Sequence, residues 1–391
     1  MSRFNPLVER LNPPAIPTVL AWGRAYDGHR GKLIDLSQAV PGYPPHRDML
    51  RYLSEEALSL ANISYGPIEG EMPLREAYAA YVTEAYGTPV AARNIHITAG
   101  ANQGFIATCL ATMAYGDTIA TTNPFYFNEE ITLSMLGMKV RQIACPPENG
   151  FVPTVEAVRA AIDPSVKALC LVTPNNPTGA IYPAPLLEAI FDICRENGTW
   201  LILDETYRDF LPAAIDRPHG LFGREGWEDT LIGLYSFSKS FCIPGQRMGA
   251  ITASPAVVAQ VAKVMDNLQI CAPRAAQAAL TKAIPALKGW RQDNRAEIDR
   301  RAAALKAVME KAPDWRMDSL GAYFAFVKHP FPGVPAAVVS ERLARDAGVL
   351  CVPGSYFGKE QDQHLRFAFA NADAETIGLI AERLEGFRIN D

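Results

Sequence analysis

The chain lacks the marks of several protein classes. It has seven cysteines in 391 residues, at Cys109, Cys145, Cys170, Cys194, Cys242, Cys271 and Cys351, and no two form a CxxC pair. The odd count and the apolar surroundings of several of them read as reduced, buried thiols of a cytoplasmic protein. Its six histidines show no HxxxH or similar ligand spacing, so no metal site is expected. No run of about 18 apolar residues occurs, so no membrane span is expected, and Met1–Thr18 has no apolar core of the signal-peptide type. The formal net charge of −5 provides no basic field, which argues against nucleic acid or a membrane surface as a partner. GxGxxG and P-loop patterns are both missing, so no dinucleotide is implied.

What the chain does have is ordinary globular chemistry, with 49% hydrophobic and 20% charged residues. At about 100–200 residues per domain its length allows two or three domains, and such a chain buries roughly three quarters of its unfolded surface without disulfides or a structural metal. Residues 1–45 are rich in Pro and Gly and read as an arm carrying a short strand at Leu33–Leu36. Helical patterns follow at Met49–Leu60 and Met72–Tyr86. Apolar strand patterns then occur at Ile95–Thr98, Thr118–Thr122, Lys139–Ala144, Ala168–Val172, Trp200–Leu203, Leu231–Tyr235 and Gly249–Thr252, most of them separated by helix-period segments. Short buried strands alternating with helices predict an α/β fold whose large domain has a mostly parallel seven-stranded sheet flanked by helices. A long helical stretch over Pro255–Lys311 leads to strands at Tyr323–Val327 and His364–Phe369 and helices at Ala336–Ala347 and Ala374–Phe387. The expected division is a large domain at 46–290 and a smaller α+β domain built from both chain ends, 1–45 and 291–391.

Polar residues at the ends of buried strands are the informative feature, because ligands of open α/β sheets bind outside the carboxyl ends of the strands. Thr98-Ala99-Gly100-Ala101-Asn102 joins a strand to a helix and could seat an anion on backbone N–H groups; a plain turn is the alternative. Tyr126, just past a strand end, could lie flat on a planar heterocycle or simply pack in its loop. In Thr173-Pro174-Asn175-Asn176-Pro177-Thr178-Gly179 the prolines restrain the backbone and aim the Asn amides. Asp204, after the apolar run WLIL, needs a paired or hydrogen-bonded partner such as a cationic ring nitrogen, with Tyr207 close behind; a helix N-cap with Glu205 in the first turn is the alternative. Lys239, flanked by Ser238 and Ser240 after the apolar LIGLY, is placed for desolvation, which lowers an amine's pKa and frees it as a nucleophile; a surface lysine is the alternative. Arg366, inside the apolar strand of Leu365-Arg366-Phe367, suits a bidentate grip on a carboxylate, or an internal salt bridge. One ligand class uses this whole set: a phosphorylated aromatic aldehyde that condenses with Lys239 and then with an amino acid, namely pyridoxal 5'-phosphate.

TPNNPTG, DETY and SFSK followed by GQRMG, in this order, resemble the class I/II aminotransferases, the fold-type I pyridoxal-phosphate enzymes related to aspartate aminotransferase. The resemblance runs from about Leu33 to Arg366. It implies that Lys239 condenses with the cofactor's aldehyde and then serves as the proton carrier, that Asp204 pairs with the ring nitrogen, and that Asn176 and Tyr207 partner the ring's phenolic oxygen. Tyr126 resembles the stacking aromatic. Ala101, Asn102, Ser236 and Arg247 resemble the phosphate ligands, and Arg366 the clamp on the substrate α-carboxylate. Tyr65, in Tyr65-Gly66-Pro67-Ile68-Glu69-Gly70, matches a position that reaches the phosphate of the neighbouring subunit, which implies a homodimer with shared active sites. Ala39 stands where many relatives have Gly near the substrate carboxylate. No motif locates a second, side-chain-binding arginine; Arg24 and Arg274 are candidates, and Trp22 and Tyr43 hint at apolar or aromatic donors.

The implied activity is ping-pong transfer of an amino group between an L-amino acid and a 2-oxo acid. A C–S β-lyase or decarboxylase would share Lys239, Asp204 and Arg366, and a non-catalytic binding or regulatory protein on the same fold is the alternative of another class. A binding module would not need both the amine and the buried acid.

Overall fold

The structure is a computed structural model that describes residues 3–389. Its strands are β1 (Ile34–Asp35), β2 (Ile95–Thr98), β3 (Thr118–Asn123), β4 (Lys139–Ala144), β5 (Val166–Val172), β6 (Trp200–Asp204), β7 (Leu231–Ser236), β8 (Gly249–Thr252), β9 (Arg316–Gly321), β10 (Phe324–Lys328), β11 (Val349–Leu350), β12 (Val352–Pro353) and β13 (His364–Phe367). Seven of them form one sheet in the order β2-β8-β7-β6-β5-β3-β4. Strands β3 to β7 run parallel, with β8 antiparallel to both β7 and β2.

The near-continuous apolar runs of the central strands follow from burial on both faces. Along a strand, successive side chains point to opposite faces. Leu169, Leu171, Leu201, Leu203 and Leu231 accordingly join one core with the helices Met72–Tyr86, Ala184–Asn197 and Arg274–Ala286. Their alternates Ala168, Cys170, Ile202, Ile232 and Leu234 join another, with the helices Ala101–Thr112 and Pro255–Leu268. The result is the expected sheet sandwiched between two helical layers.

A four-stranded antiparallel sheet, β12-β13-β10-β9, lies in the C-terminal part. Its core takes Ile34 and Leu36 from near the N-terminus together with Phe324, Val327, Leu365 and Phe367. Strand β1 pairs in parallel with β11, so a segment from the start of the chain is built into its end.

The structure departs from the expected elements in a few places. The stretch 255–311 is three helices, Pro255–Leu268, Arg274–Ala286 and Lys288–Lys311. The expected arm contains the helices Pro6–Glu9 and Ala15–Arg24, and the helix Phe127–Met135 follows β3. Strand β9 is half-exposed along its length and carries Arg316 and Asp318, so it shows no apolar run. Among the described residues no helix is long and apolar enough to cross a membrane. All seven cysteines are free, six of them buried and Cys271 half-buried.

Candidate active site

The carboxyl ends of the central strands lie side by side. Val172 of β5 pairs with Asp204 of β6, which in turn pairs with Leu234 of β7. The turns leaving these strands therefore converge, and a cavity of about 410 Å³ opens there. Ala39, Ala101, Asn102, Tyr126, Asn176, Asp204, Tyr207, Ser236, Lys239, Arg247 and Arg366 all line it. Of the residues to which the resemblance gives a cofactor role, Tyr65 is left outside; it is 78% exposed on the loop before the helix Met72–Tyr86.

One end of the cavity is built for an anion. The helix Ala101–Thr112 starts there, with Gly100 as its N-cap at φ +88°. A helix N-terminus presents unpaired N–H groups and partial positive charge. Ser236 ends β7 and caps the short helix Phe237–Ser240, its hydroxyl accepting from the Ser238 N–H at 3.3 Å. The Arg247 guanidinium closes over Gly100, where a Cβ would lie 2.3 Å from Arg247 Nη2. Strand β8 also presses close, since a Cβ on Gly249 would lie 2.7 Å from the Ala101 nitrogen. This corner thus depends on residues without side chains.

Asp204 is buried, and its Oδ1 accepts the Thr206 N–H at 2.8 Å. This local turn replaces the alternative of a helix cap. Burial raises its pKa to about 6, against the lowering effect of the Thr206 hydrogen bonds. The next residue, Glu205, turns the other way. It accepts from Tyr86 Oη at 2.6 Å, and His219 Nε2 lies 3.3 Å from it. Adjacent acids so serve opposite sides of the same turn.

The Lys239 side chain is partly buried and donates to the Ala39 carbonyl. Burial, then repulsion from Arg366 and Arg247, lowers its pKa to about 8, with Asp204 opposing. A substantial fraction of the amine is therefore neutral near physiological pH. Tyr126 Oη accepts from Asn128 Nδ2 at 2.8 Å, which holds the ring at the cavity wall.

The two asparagines of TPNNPTG have separate tasks. Asn175 faces inward: its Oδ1 accepts from Thr178 N at 3.2 Å and Thr178 Oγ1 at 2.8 Å, and its Nδ2 donates to Val172 O at 3.2 Å. Asn176 faces the cavity and accepts from Arg366 Nη1 at 3.0 Å. Arg366 Nη2 donates to the Ser37 carbonyl, while Nε is buried without a partner. The guanidinium lies over the rings of Phe324 and Phe357, at 5.1 and 5.0 Å. With no carboxylate beside it, burial pulls its pKa down to about 10. A buried guanidinium with a free N–H is a receptor for an anion.

The same cavity is lined by residues to which the sequence gave no role: Pro14, Ala15, Ile16, Pro17, Gln38, Val40, Phe127, Asn128, Ile131, Thr206 and Ser238 among them. Thr206 and Ser238 lie inside DETY and SFSK, and Asn128 two residues after Tyr126, and that adjacency is the signal that could have found them. The Pro14–Pro17 stretch carries no such signal. Neither Arg24 nor Arg274 reaches the cavity. Arg24 is exposed, and Arg274 is tied to Glu71 at 2.5 Å and to the Ser64 carbonyl at 3.1 Å. Trp22 and Tyr43 also lie elsewhere, Tyr43 standing edge-on to Trp290 with ring centroids 6.4 Å apart.

Residues 32–384 match the family described as aminotransferase class I and II. An aromatic aminotransferase of Arabidopsis thaliana is 27% identical over 391 aligned positions, covering 98% of this chain and 96% of the relative. The aspartate/prephenate aminotransferase of Thermus thermophilus is 28% identical, covering 94% of each. Among solved structures, the Thermus thermophilus aspartate aminotransferase with maleate superposes with a TM-score of 0.89 at 26% identity, over 98% of this chain and 99% of that one. Sequence, fold and cavity agree: the chain belongs to the class I and II aminotransferases, enzymes of fold type I.

Proposed function

We propose that this aminotransferase works with pyridoxal 5'-phosphate bound in the cavity at the carboxyl ends of β5 to β7. The single observation that carries the reading is a partly buried amine, Lys239, in one cavity with an anion seat, a buried acid and an unsatisfied guanidinium. The residues fit the group. The seat formed by Ala101, Asn102, Ser236 and Arg247 suits a phosphate. Tyr126 suits a ring face, Asn176 and Tyr207 a phenolic oxygen, and Asp204 a ring nitrogen.

When bound, the cofactor supplies an aldehyde that condenses with amines and a cationic ring that spreads the electron pair left when the Cα proton departs. The chain's own residues do the rest. Helix N–H groups and Arg247 would hold a phosphate at one end of the cavity. Asp204 holds a proton on the ring nitrogen. Its raised pKa reflects burial that the Thr206 hydrogen bonds and Lys239 only partly offset, and a cationic ring nitrogen would restore the carboxylate. Arg366 grips the α-carboxylate of amino acid and 2-oxo acid alike, which serves both halves of a ping-pong cycle. Lys239 Nζ would hold the aldehyde and, when free, is the amine placed to take the Cα proton; its lowered pKa favours its role as a base near neutral pH.

A second copy of the chain completes the picture. Leu58, Leu60, Ile63 and Tyr65 are 75–87% exposed on one connecting segment, an apolar face that a partner subunit would cover. Tyr65 on that face would then reach the phosphate seat of the neighbour. The buried thiols fit a cytoplasmic setting. We keep 46–290 as the large domain, with 1–45 and 291–391 as the small one.

The test is borohydride reduction of the holoenzyme followed by peptide mapping. The reduced pyridoxyl group is expected on Lys239. Its appearance on another lysine, or on none, overturns the reading.

A further inference from the structure

Lys239 stands on a slender support. The helix that carries it, Phe237–Ser240, is a single turn. One turn is not self-supporting, because nucleation fixes several residues for one hydrogen bond. The chain leaves it under strain, since Cys242 holds φ +56°. A non-glycine residue keeps that left-handed conformation only where its surroundings impose it. Contacts outside the turn must therefore fix its position, and with it the position of the amine.

Those contacts lie behind the cavity. Ser240 is fully buried, and its Oγ lies 2.5 Å from Tyr235 Oη. Tyr235 Oη in turn donates to Asp209 Oδ2 at 2.6 Å. A phenol has one hydrogen to donate, so the Ser240 hydroxyl is the donor in the first bond. The other oxygen of Asp209 accepts from Tyr81 Oη. Burial, and then the nearby Asp209, pushes the Tyr235 phenol well above its ordinary pKa, so the phenol keeps its hydrogen. The ring is clamped as well. The Arg208 guanidinium lies over it at 4.1 Å, Tyr78 stacks on it with centroids 5.5 Å apart, and Phe237 meets it edge-on at 5.1 Å. Asp209 is the outer end of the chain of bonds, where it lines a cavity of about 240 Å³ with Arg208, Arg291 and Arg295. Every one of these links is made within one chain.

We propose that Tyr235 and Asp209 are positioning residues for Lys239, fixing its single turn from behind through the Ser240 hydroxyl. The proposal rests on the cofactor reading above and deepens it. Ser240, Tyr235 and Asp209 do not line the active-site cavity, so their effect runs through the amine. Small displacements matter there, since a misplacement of ~1 Å can lower a rate by about 100-fold.

The experiment compares Ser240→Ala, Tyr235→Phe and the double variant with the wild type. Covalent loading of the cofactor-free proteins with pyridoxal phosphate is timed against pH. Besides burial, the groups that act on the Lys239 amine are Arg366, Arg247 and Asp204, and none of them is altered. A turn released from Tyr235 lets more water reach the amine. The pH at which loading levels off should then rise by about one pH unit in each variant. In the holoenzymes kcat should fall ~10-fold or more, with KM nearly unchanged. The double variant should lose no more than the worse single one, because the bonds act as a unit. Ser240→Ala leaves the bond from Tyr235 to Asp209 in place and carries the test alone where Tyr235→Phe does not fold. A levelling-off pH equal to that of the wild type, losses of kcat that multiply in the double variant, or a loss confined to the melting temperature overturns this proposal and leaves the cofactor reading intact. Wild-type protein that gains no reducible pyridoxyl group on Lys239 overturns the cofactor reading itself.

Discussion

Arg366 Nη1 donates to Asn176 Oδ1 at 3.0 Å, and this bond ties β13 of the antiparallel sheet to the turn after β5 of the seven-stranded sheet. The guanidinium is thereby aimed before any substrate arrives, with Nε still free. A lysine cannot reproduce that fork. Arg366→Lys is expected to raise KM for both amino acid and 2-oxo acid and to lower kcat/KM by about 10- to 100-fold, the loss of a charged hydrogen bond worth ~1.5–3 kcal/mol. Steady-state kinetics with both substrates checks this, and an effect confined to one substrate would contradict the shared clamp.

Neighbouring asparagines should respond in opposite ways. Asn175→Ala removes the acceptor of Thr178 N and Thr178 Oγ1, leaving buried donors unsatisfied at about 1–3 kcal/mol. Its melting temperature should fall. Asn176→Ala removes only a group that faces the cavity and Arg366, so catalysis should suffer more than stability. Thermal melts and kcat/KM measured together separate the two, and equal losses of stability would refute the division.

Covalent loading of the cofactor-free protein should depend on pH through Lys239. Its pKa is lowered to about 8, chiefly by burial, and only the neutral amine attacks an aldehyde. The loading rate at fixed pyridoxal phosphate should rise with pH and level off above about 8. Stability follows the same group. The unfolded chain holds this proton up to about 10.5, so the cofactor-free protein should gain stability as the pH rises from about 8 towards 10.5. Stopped-flow absorbance and denaturant titrations test the two statements, and a loading rate still climbing steeply at pH 10 would place the amine in an ordinary aqueous setting.

Gly100 should be intolerant of even a methyl group. Its φ is +88°, and an added Cβ would lie 2.3 Å from Arg247 Nη2. Gly100→Ala is expected to cost ~1 kcal/mol or more in stability from the backbone alone. By displacing Arg247 it should also weaken retention of pyridoxal phosphate by about tenfold. Equilibrium dialysis of the cofactor measures the second effect, and unchanged retention would remove Arg247 from the anion seat.

The central strands of the main sheet could be read almost residue by residue, because burial on both faces leaves apolar runs such as LCLV, WLIL and LIGLY that need no partner to be recognised, whereas the edge strand β4 is largely exposed. Strand β9 escaped because it is half-exposed and carries charges at Arg316 and Asp318. The helices after Pro255 ran together in the sequence because helical periodicity continues on both sides of the breaks at 269–273 and at Leu287.

For the site, local sequence determined which residues are chemically out of place: an amine after LIGLY, an acid after WLIL, an arginine among phenylalanines. Such residues stand out because burial penalises charge wherever it occurs. Residue chemistry alone left open which of the adjacent pairs faces the cavity; the resemblance implied Asn176 and Asp204, and the tertiary structure turns both towards it, with Asn175 and Glu205 turned away, since side-chain direction depends on the turn and on what packs against it. It also brought Ile16 and Pro17, from far upstream, to the wall of the cavity. Apolar residues of that kind carry no local mark of function, because their role lies in the space they enclose with distant parts of the chain.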